Sequence, residues 1–130
     1  MRLISDEALA VVTIWQEARG EPHEGKVAVG EVIRNRMKLG KRPRSVAEVV
    51  LEPWQFSGFN TRDRNRTPSM MIDDEDPVVV ECRAAWILSE SSDLIRGATL
   101  YFNPHIVQPA WASHVTFAAE IGNHRFYRET

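Results

Sequence analysis

The sequence predicts an α+β, mostly α protein with a small β-hairpin region near the C-terminus. Three observations carry that class. Apolar residues recur at helical spacing in segments 8–15, 24–39 and 78–89. After Gly97 the pattern changes to short apolar runs typical of strands. Between two of those runs, Gly122-Asn123 has the glycine-first order of a type II′ turn. The 130 residues fit one domain spanning 1–130.

The elements follow in order. Ser5 is an N-cap, and Asp6 and Glu7 put negative charge where the helix dipole favours it. Ala8, Val11, Val12 and Trp15 share one helical spacing, and Ala10, Ile14 and Glu17 share another; Gly20 and Pro22 end the helix. A second helix is predicted over 24–39, with Ala28, Val29, Val32, Ile33 and Met37 buried and Lys26, Arg34 and Lys38 wet. Ser45-Val46-Ala47-Glu48 has capping-box spacing, predicting a short helix over 46–51. Residues 56–76 read as a long irregular loop. Asp76-Pro77 then opens a helix over 78–89 that buries Val79, Cys82, Ala85, Trp86 and Ile87. A strand is predicted over 98–102, and a hairpin from 114–118 and 125–127.

Composition excludes several functions. Sixteen Lys+Arg against eighteen Asp+Glu give a net charge of -2, which supports neither nucleic-acid binding nor attraction to anionic membranes. No apolar run approaches the roughly 18 residues that span a bilayer, so no stable membrane insertion is expected. The N-terminus turns acidic before an apolar stretch develops, predicting cytoplasmic synthesis without a signal peptide. Cys82, alone, forms no internal disulfide. The expected state is a monomer.

The sharpest local feature is Glu17-Ala18-Arg19-Gly20-Glu21. Glu17 ends an otherwise apolar helix face, and a glutamate in such a niche can hold a proton for delivery to a leaving group. Glu21, at the helix end, is a second acidic or supporting residue. The competing reading is a solvated helix end with surface ion pairs. A second set combines aromatic and polar groups: Gln55 and Phe56; Tyr101, Asn103 and His105; Trp111; His124 and Tyr127. Such residues suit a sugar, with rings stacking on C–H faces and amides or imidazoles bonding hydroxyls. Phe102, Phe117 and Phe126 read instead as core.

A metal site is disfavoured. His23-Glu24 lacks the second histidine of an HExxH motif, and His105, His114 and His124 are dispersed. No G-x-S-x-G elbow exists. Arg62 to Arg66 is interrupted by Asp63 and followed by Asp73 to Asp76, the pattern of a solvated loop.

In their order along the chain, these motifs resemble the SleB/CwlJ-type cell-wall hydrolases. The likeness runs from about Ile14 to Tyr127 and rests on four stretches: Glu17 to Val29 continuing through Val32 to Arg36; Val46 to Val50 with Gln55-Phe56-Ser57; Gly97 to Pro104; and Ile121 to Tyr127. The resemblance implies a lysozyme-like fold, peptidoglycan glycan strands as substrate, and the β-1,4 bond between N-acetylmuramic acid and N-acetylglucosamine as the bond cleaved. It carries the catalytic glutamate to Glu17 and implies lytic transglycosylation, which needs one acid/base carboxyl and no cofactor or metal. A hydrolytic muramidase would usually need a second carboxylate roughly 5–9.5 Å away. The resemblance suits a phage endolysin released to the wall by membrane permeabilisation, or a domain of a longer bacterial enzyme. Two other classes remain open: a metal-dependent peptidase or amidase using His105, His114 and His124, and a non-catalytic murein-binding module. The arginine-rich stretch 61–67 does not match the family pattern.

Overall fold

The computed structural model describes residues 4–52, 56 and 72–129. Local sequence signals set most helix boundaries. Helix α1 spans Asp6–Ala18, with Ser5 Oγ accepting from Ala8 N at 3.1 Å. Helix α2 spans His23–Met37 behind Pro22. The short helix α3, Val46–Val50, is opened by the full capping box, Ser45 Oγ to Glu48 N and Glu48 Oε1 to Ser45 N. Helix α4 spans Pro77–Ser89, and the Asp76 carboxylate accepts from Val78 N at 2.8 Å. Each cap satisfies a backbone N–H that the helix itself leaves open.

The helices pack on one another through α1, α2 and α4, with α3 against α1 and α2. Ile14, Val29, Val32, Ile33, Val49, Val50 and Cys82 are fully buried between them. Gly30 permits a close approach of α2 to α4, because a Cβ there would meet Ser89 Oγ at 2.8 Å. Burial pushes the Cys82 thiol up to about 11.

Three strands form an antiparallel sheet in the order β1-β3-β2, with β1 Leu100–Phe102, β2 Thr116–Ile121 and β3 His124–Arg128. The hairpin closes at Ile121↔His124. Gly122 has φ +58, and Asn123 is not among the residues with positive φ, the signs of the type II′ turn. Ala118 is an extra residue between the pairs Phe117↔Tyr127 and Ala119↔Phe126, a bulge. A short 3-10 helix, Ala110–His114, precedes β2.

Several expectations are corrected. Lys26 is buried, at 4% exposure, because its ammonium reaches the Glu21 carbonyl at 2.5 Å and Glu81 at 3.1 Å. Arg34 is half-buried over the Trp86 ring. Ile87 faces outward at 58% exposure. The predicted strand 98–102 is shorter by two residues, and the hairpin strands shift to 116–121 and 124–128. Apart from Phe56 and residues 72–76, the predicted loop 56–76 lies outside the described residues.

Candidate active site

Glu17 sits on the last turn of α1, half-buried, and accepts a short hydrogen bond from the Tyr101 hydroxyl. Tyr101 reaches it from the middle of β1. Burial, then the Glu17 charge and hydrogen bond, push the Tyr101 hydroxyl well above the ordinary tyrosine range, with Arg36 offsetting part of the effect. Tyr101 therefore keeps its proton and remains a donor to Glu17 throughout the neutral range.

Three side chains of α2 hold the segment that delivers Tyr101. The buried Glu31 carboxylate accepts from Leu94 N and Ile95 N, each at 3.1 Å, and from Ser92 Oγ at 2.5 Å. Asn35 Nδ2 donates to the Ala98 carbonyl at 2.9 Å, and Arg36 Nε donates to the Thr99 carbonyl at 2.6 Å. The chain turns here through Arg96 and Gly97, at φ 54 and 83. A left-handed arginine costs roughly 1–2 kcal/mol, and the bonds from α2 hold it. Sequence reading missed these three residues. A signal existed: Glu31 is the one charged residue in the otherwise apolar stretch Val27 to Ile33, a setting in which a carboxylate needs partners.

Glu21 is the second anchor. Its carboxylate accepts from Asn123 N at 2.8 Å and Asn123 Nδ2 at 2.9 Å, tying the α1–α2 loop to the hairpin turn. A Cβ on Gly122 would collide with Glu21 Oε1, so this contact as well as φ requires glycine there. Burial opposes the Glu21 charge, but the Asn123 donors, His124 and Lys26 outweigh it and hold the carboxyl below its ordinary value. His124 Nδ1 stands 4.0 Å from Glu21 Oε1 and has no hydrogen-bond partner among the described residues. Burial lowers the proton affinity of His124, which Glu21 partly restores.

The sheet separates the aromatic residues that the sequence grouped together, because alternate residues of a strand point to opposite faces. On one face, Tyr101 stacks on Phe126 at 5.4 Å and meets the edge of His124 at 5.0 Å. On the other, Tyr127 stacks on Phe102 at 5.4 Å, with Trp111 and Phe117 edge-on at 5.7 Å. Of the predicted site residues, the structure thus brings Tyr101 to Glu17, His124 beside Tyr101, and Glu21 beside His124.

The remaining sugar-contact expectations change accordingly. Phe56 is 1% exposed and belongs to the core, beneath the Arg36 guanidinium. Tyr127, at 7%, and His124, at 8%, are likewise buried, leaving almost no ring surface for a ligand. Trp111 is half-buried on the sheet face away from Glu17. Asn103 builds a turn: its Oδ1 accepts from His105 N at 2.9 Å and its carbonyl from Ile106 N and Val107 N. His105 is exposed beside it. Gln55 lies outside the described residues. His105 and His114 are exposed whereas His124 is buried, and no three His, Cys, Asp or Glu side chains cluster as metal ligands among the described residues.

Comparison with known proteins agrees with this architecture. The family described as Cell Wall Hydrolase matches residues 20–127, a span that begins just after Glu17. The chain is 34% identical over 122 residues to the spore cortex-lytic enzyme of Halalkalibacterium halodurans, covering 94% of this chain and 34% of that protein. To the Bacillus subtilis spore cortex-lytic enzyme it is 32% identical, covering 37% of that protein. The chain thus spans about a third of the length of these curated relatives. Among solved structures, the catalytic domain of the germination-specific lytic transglycosylase SleB from Bacillus anthracis superposes with a TM-score of 0.77 at 26% identity, covering 95% of this chain and 93% of that one. The catalytic domain of Bacillus cereus SleB gives 0.78 at 26% identity, covering 98% and 94%. With a mostly helical body, a three-stranded sheet and these matches over nearly its whole length, the chain belongs to the SleB/CwlJ-type cell-wall hydrolase family.

Proposed function

We propose that residues 1–130 form one catalytic domain that cleaves the β-1,4 bond between N-acetylmuramic acid and N-acetylglucosamine in peptidoglycan, by lytic transglycosylation, with Glu17 as the single general acid and base. The observation that carries this reading is the half-buried Glu17 carboxyl with one oxygen bonded by Tyr101. With Oε1 accepting from Tyr101, the transferable proton of the acid form sits on the other oxygen. Glu17 gives that proton to the glycosidic oxygen as the bond to the muramic C1 breaks. The muramic C6 hydroxyl then attacks C1, and the Glu17 carboxylate takes the hydroxyl proton. One chain end becomes a 1,6-anhydro ring, the other a free 4-hydroxyl, and Glu17 is restored to its acid form with no water consumed.

The engagement of Glu21 supports this one-carboxyl scheme over a muramidase. Both of its oxygens bind Asn123, so the nearest carboxylate in sequence is committed to holding the hairpin. Glu21 is a positioning residue in this scheme. We infer in addition that the domain acts as a monomer, without binding nucleic acid or inserting into a membrane; no helix among the described residues is long and apolar enough to cross one. It meets its substrate at the wall after cytoplasmic synthesis, by membrane permeabilisation in a phage setting.

Mass spectrometry of a digest of purified murein tests the chemistry. Anhydro-muropeptides are the expected product. New reducing ends would make the protein a muramidase, released peptides a peptidase, and unchanged murein a binding module.

A further inference from the structure

Residue 21 is the junction between the two halves of the candidate site. Its N–H donates to the Ala18 carbonyl at 2.9 Å, closing the end of the helix that carries Glu17. Its carboxylate holds Asn123 in the hairpin turn, next to His124, whose ring meets Tyr101 edge-on. Packing leaves it little room on either side. A Cβ on Gly25 would meet Glu21 Cβ at 2.9 Å, and one on Gly122 would collide with Glu21 Oε1. The Glu21 carbonyl is held as well, by a side chain that the one-carboxyl scheme does not use.

That side chain is Lys26. In a regular helix the amide four residues on would bond the Glu21 carbonyl. Here that amide, Gly25 N, donates instead to the Pro22 carbonyl at 2.9 Å. The Lys26 ammonium takes its place and donates to the Glu21 carbonyl at 2.5 Å. The same ammonium reaches Glu81 Oε1 on α4 at 3.1 Å, and the lysine is buried.

Burying an ammonium is costly, and an apolar side chain of similar volume would join two helices without that cost. What the lysine adds is a donor aimed at one main-chain oxygen. Arg34 provides the contrast. It lies about two turns further along α2 and also joins α2 to α4, donating to Ser89 Oγ at 2.8 Å and to the Trp86 carbonyl at 2.6 Å. Its hydrogen bonds go to α4, whereas Lys26 reaches α4 and residue 21 together.

We propose that Lys26 is a positioning residue for glycan cleavage: by fixing the Glu21 main chain from α2, it aligns the helix end that carries Glu17 with the hairpin that flanks Tyr101. The inference rests on the Glu17 reading above. Lys26 acts through residue 21 and not on the substrate.

The test compares Lys26→Met with Arg34→Met in the full chain. Both remove a cation that joins α2 to α4, and only the first removes the donor to Glu21. Lys26→Met is expected to lower kcat on soluble glycan strands roughly 10- to 100-fold, with KM within about twofold of the parent. Arg34→Met is expected to lower the thermal midpoint and keep the parent kcat. In NMR spectra of the isotope-labelled chain, the Asn123 amide, which bonds the Glu21 carboxylate, shifts in Lys26→Met and stays in place in Arg34→Met. Parent kcat in Lys26→Met, an equal loss of kcat in both variants, or an unmoved Asn123 amide overturns the proposal. Should Lys26→Met fail to fold, Lys26→Gln, which keeps an uncharged polar group there, is read against the same outcomes. Glu17→Gln, measured alongside, separates the two readings. If it still cleaves, the active-site reading falls, while the Asn123 shift still reports the hold of Lys26 on Glu21. If it is inactive and Lys26→Met turns over like the parent, this proposal falls alone.

Discussion

The Tyr101 hydroxyl donates to Glu17 Oε1 across a separation of 84 residues, joining the last turn of α1 to the first strand of the sheet. The contact is the end of a chain of constraints. Glu31, Asn35 and Arg36 fix the segment before β1, and Glu21 fixes the hairpin whose His124 and Phe126 flank the Tyr101 ring. The Glu17 carboxyl is thus oriented by groups from both ends of the chain.

Tyr101→Phe removes the donor and leaves the ring stacked on Phe126. A hydrogen bond to a charged group is worth about 1.5–3 kcal/mol, so kcat is expected to fall roughly 10- to 100-fold with KM little changed. Initial rates on soluble glycan strands read the effect. Wild-type turnover would mean that Tyr101 does not orient the acid.

Glu17→Gln keeps the shape and the acceptor for Tyr101 but holds no transferable proton. Turnover is expected to drop about 10²- to 10⁴-fold, while pull-down on insoluble murein and the thermal midpoint stay close to the parent. Retained cleavage would move the acid/base to another residue.

Glu21 makes folding stability pH-dependent. Its carboxyl lies below the ordinary 4.5 in the folded protein, so the folded state favours the anion. The resulting stabilisation is complete above about pH 4.5 and is lost as the pH falls through the lower folded value. His124, held below 6.5 by burial, acts in the same direction: its neutral form is favoured, and acidification below 6.5 begins to withdraw that contribution. Glu21→Gln is expected to cost about 1–2 kcal/mol at pH 7. Urea melts across the acid range should show its difference from the parent shrinking below pH 4.5; a constant difference would place the effect elsewhere.

Glu31→Ala leaves the buried Ile95 N–H and the part-buried Leu94 N–H without their acceptor. A loss of roughly 3 kcal/mol is expected, together with lower kcat, because the approach to β1 loosens. Urea unfolding and initial rates measure the two consequences on the same sample.

Features written in adjacent residues were legible in the sequence. The Ser45–Glu48 capping box, the Asp76-Pro77 helix start and the Gly122-Asn123 turn each depend on a few neighbouring atoms, and each stands in the structure as its pattern predicts. Burial of charge was not legible, since Lys26 goes under only because the Glu21 carbonyl and Glu81 arrive from elsewhere. Aromatic residues misled for a related reason. Phe56 and Tyr127 have the same chemistry whether they line a groove or fill a core, and only the strand register puts Tyr101 and Tyr127 on opposite faces. The pairing of Glu17 with Tyr101 needed that register as well.

The buried thiol of α4 gives the domain a built-in clock. With a pKa of about 11, Cys82 is ionised to only about one part in 10,000 at neutral pH, and it has no exposed surface in the folded chain. An added disulfide reagent therefore reacts only when the interface between α2 and α4 comes apart. The rate of that reaction counts the openings of the helical core, one molecule at a time, with no label or engineered residue.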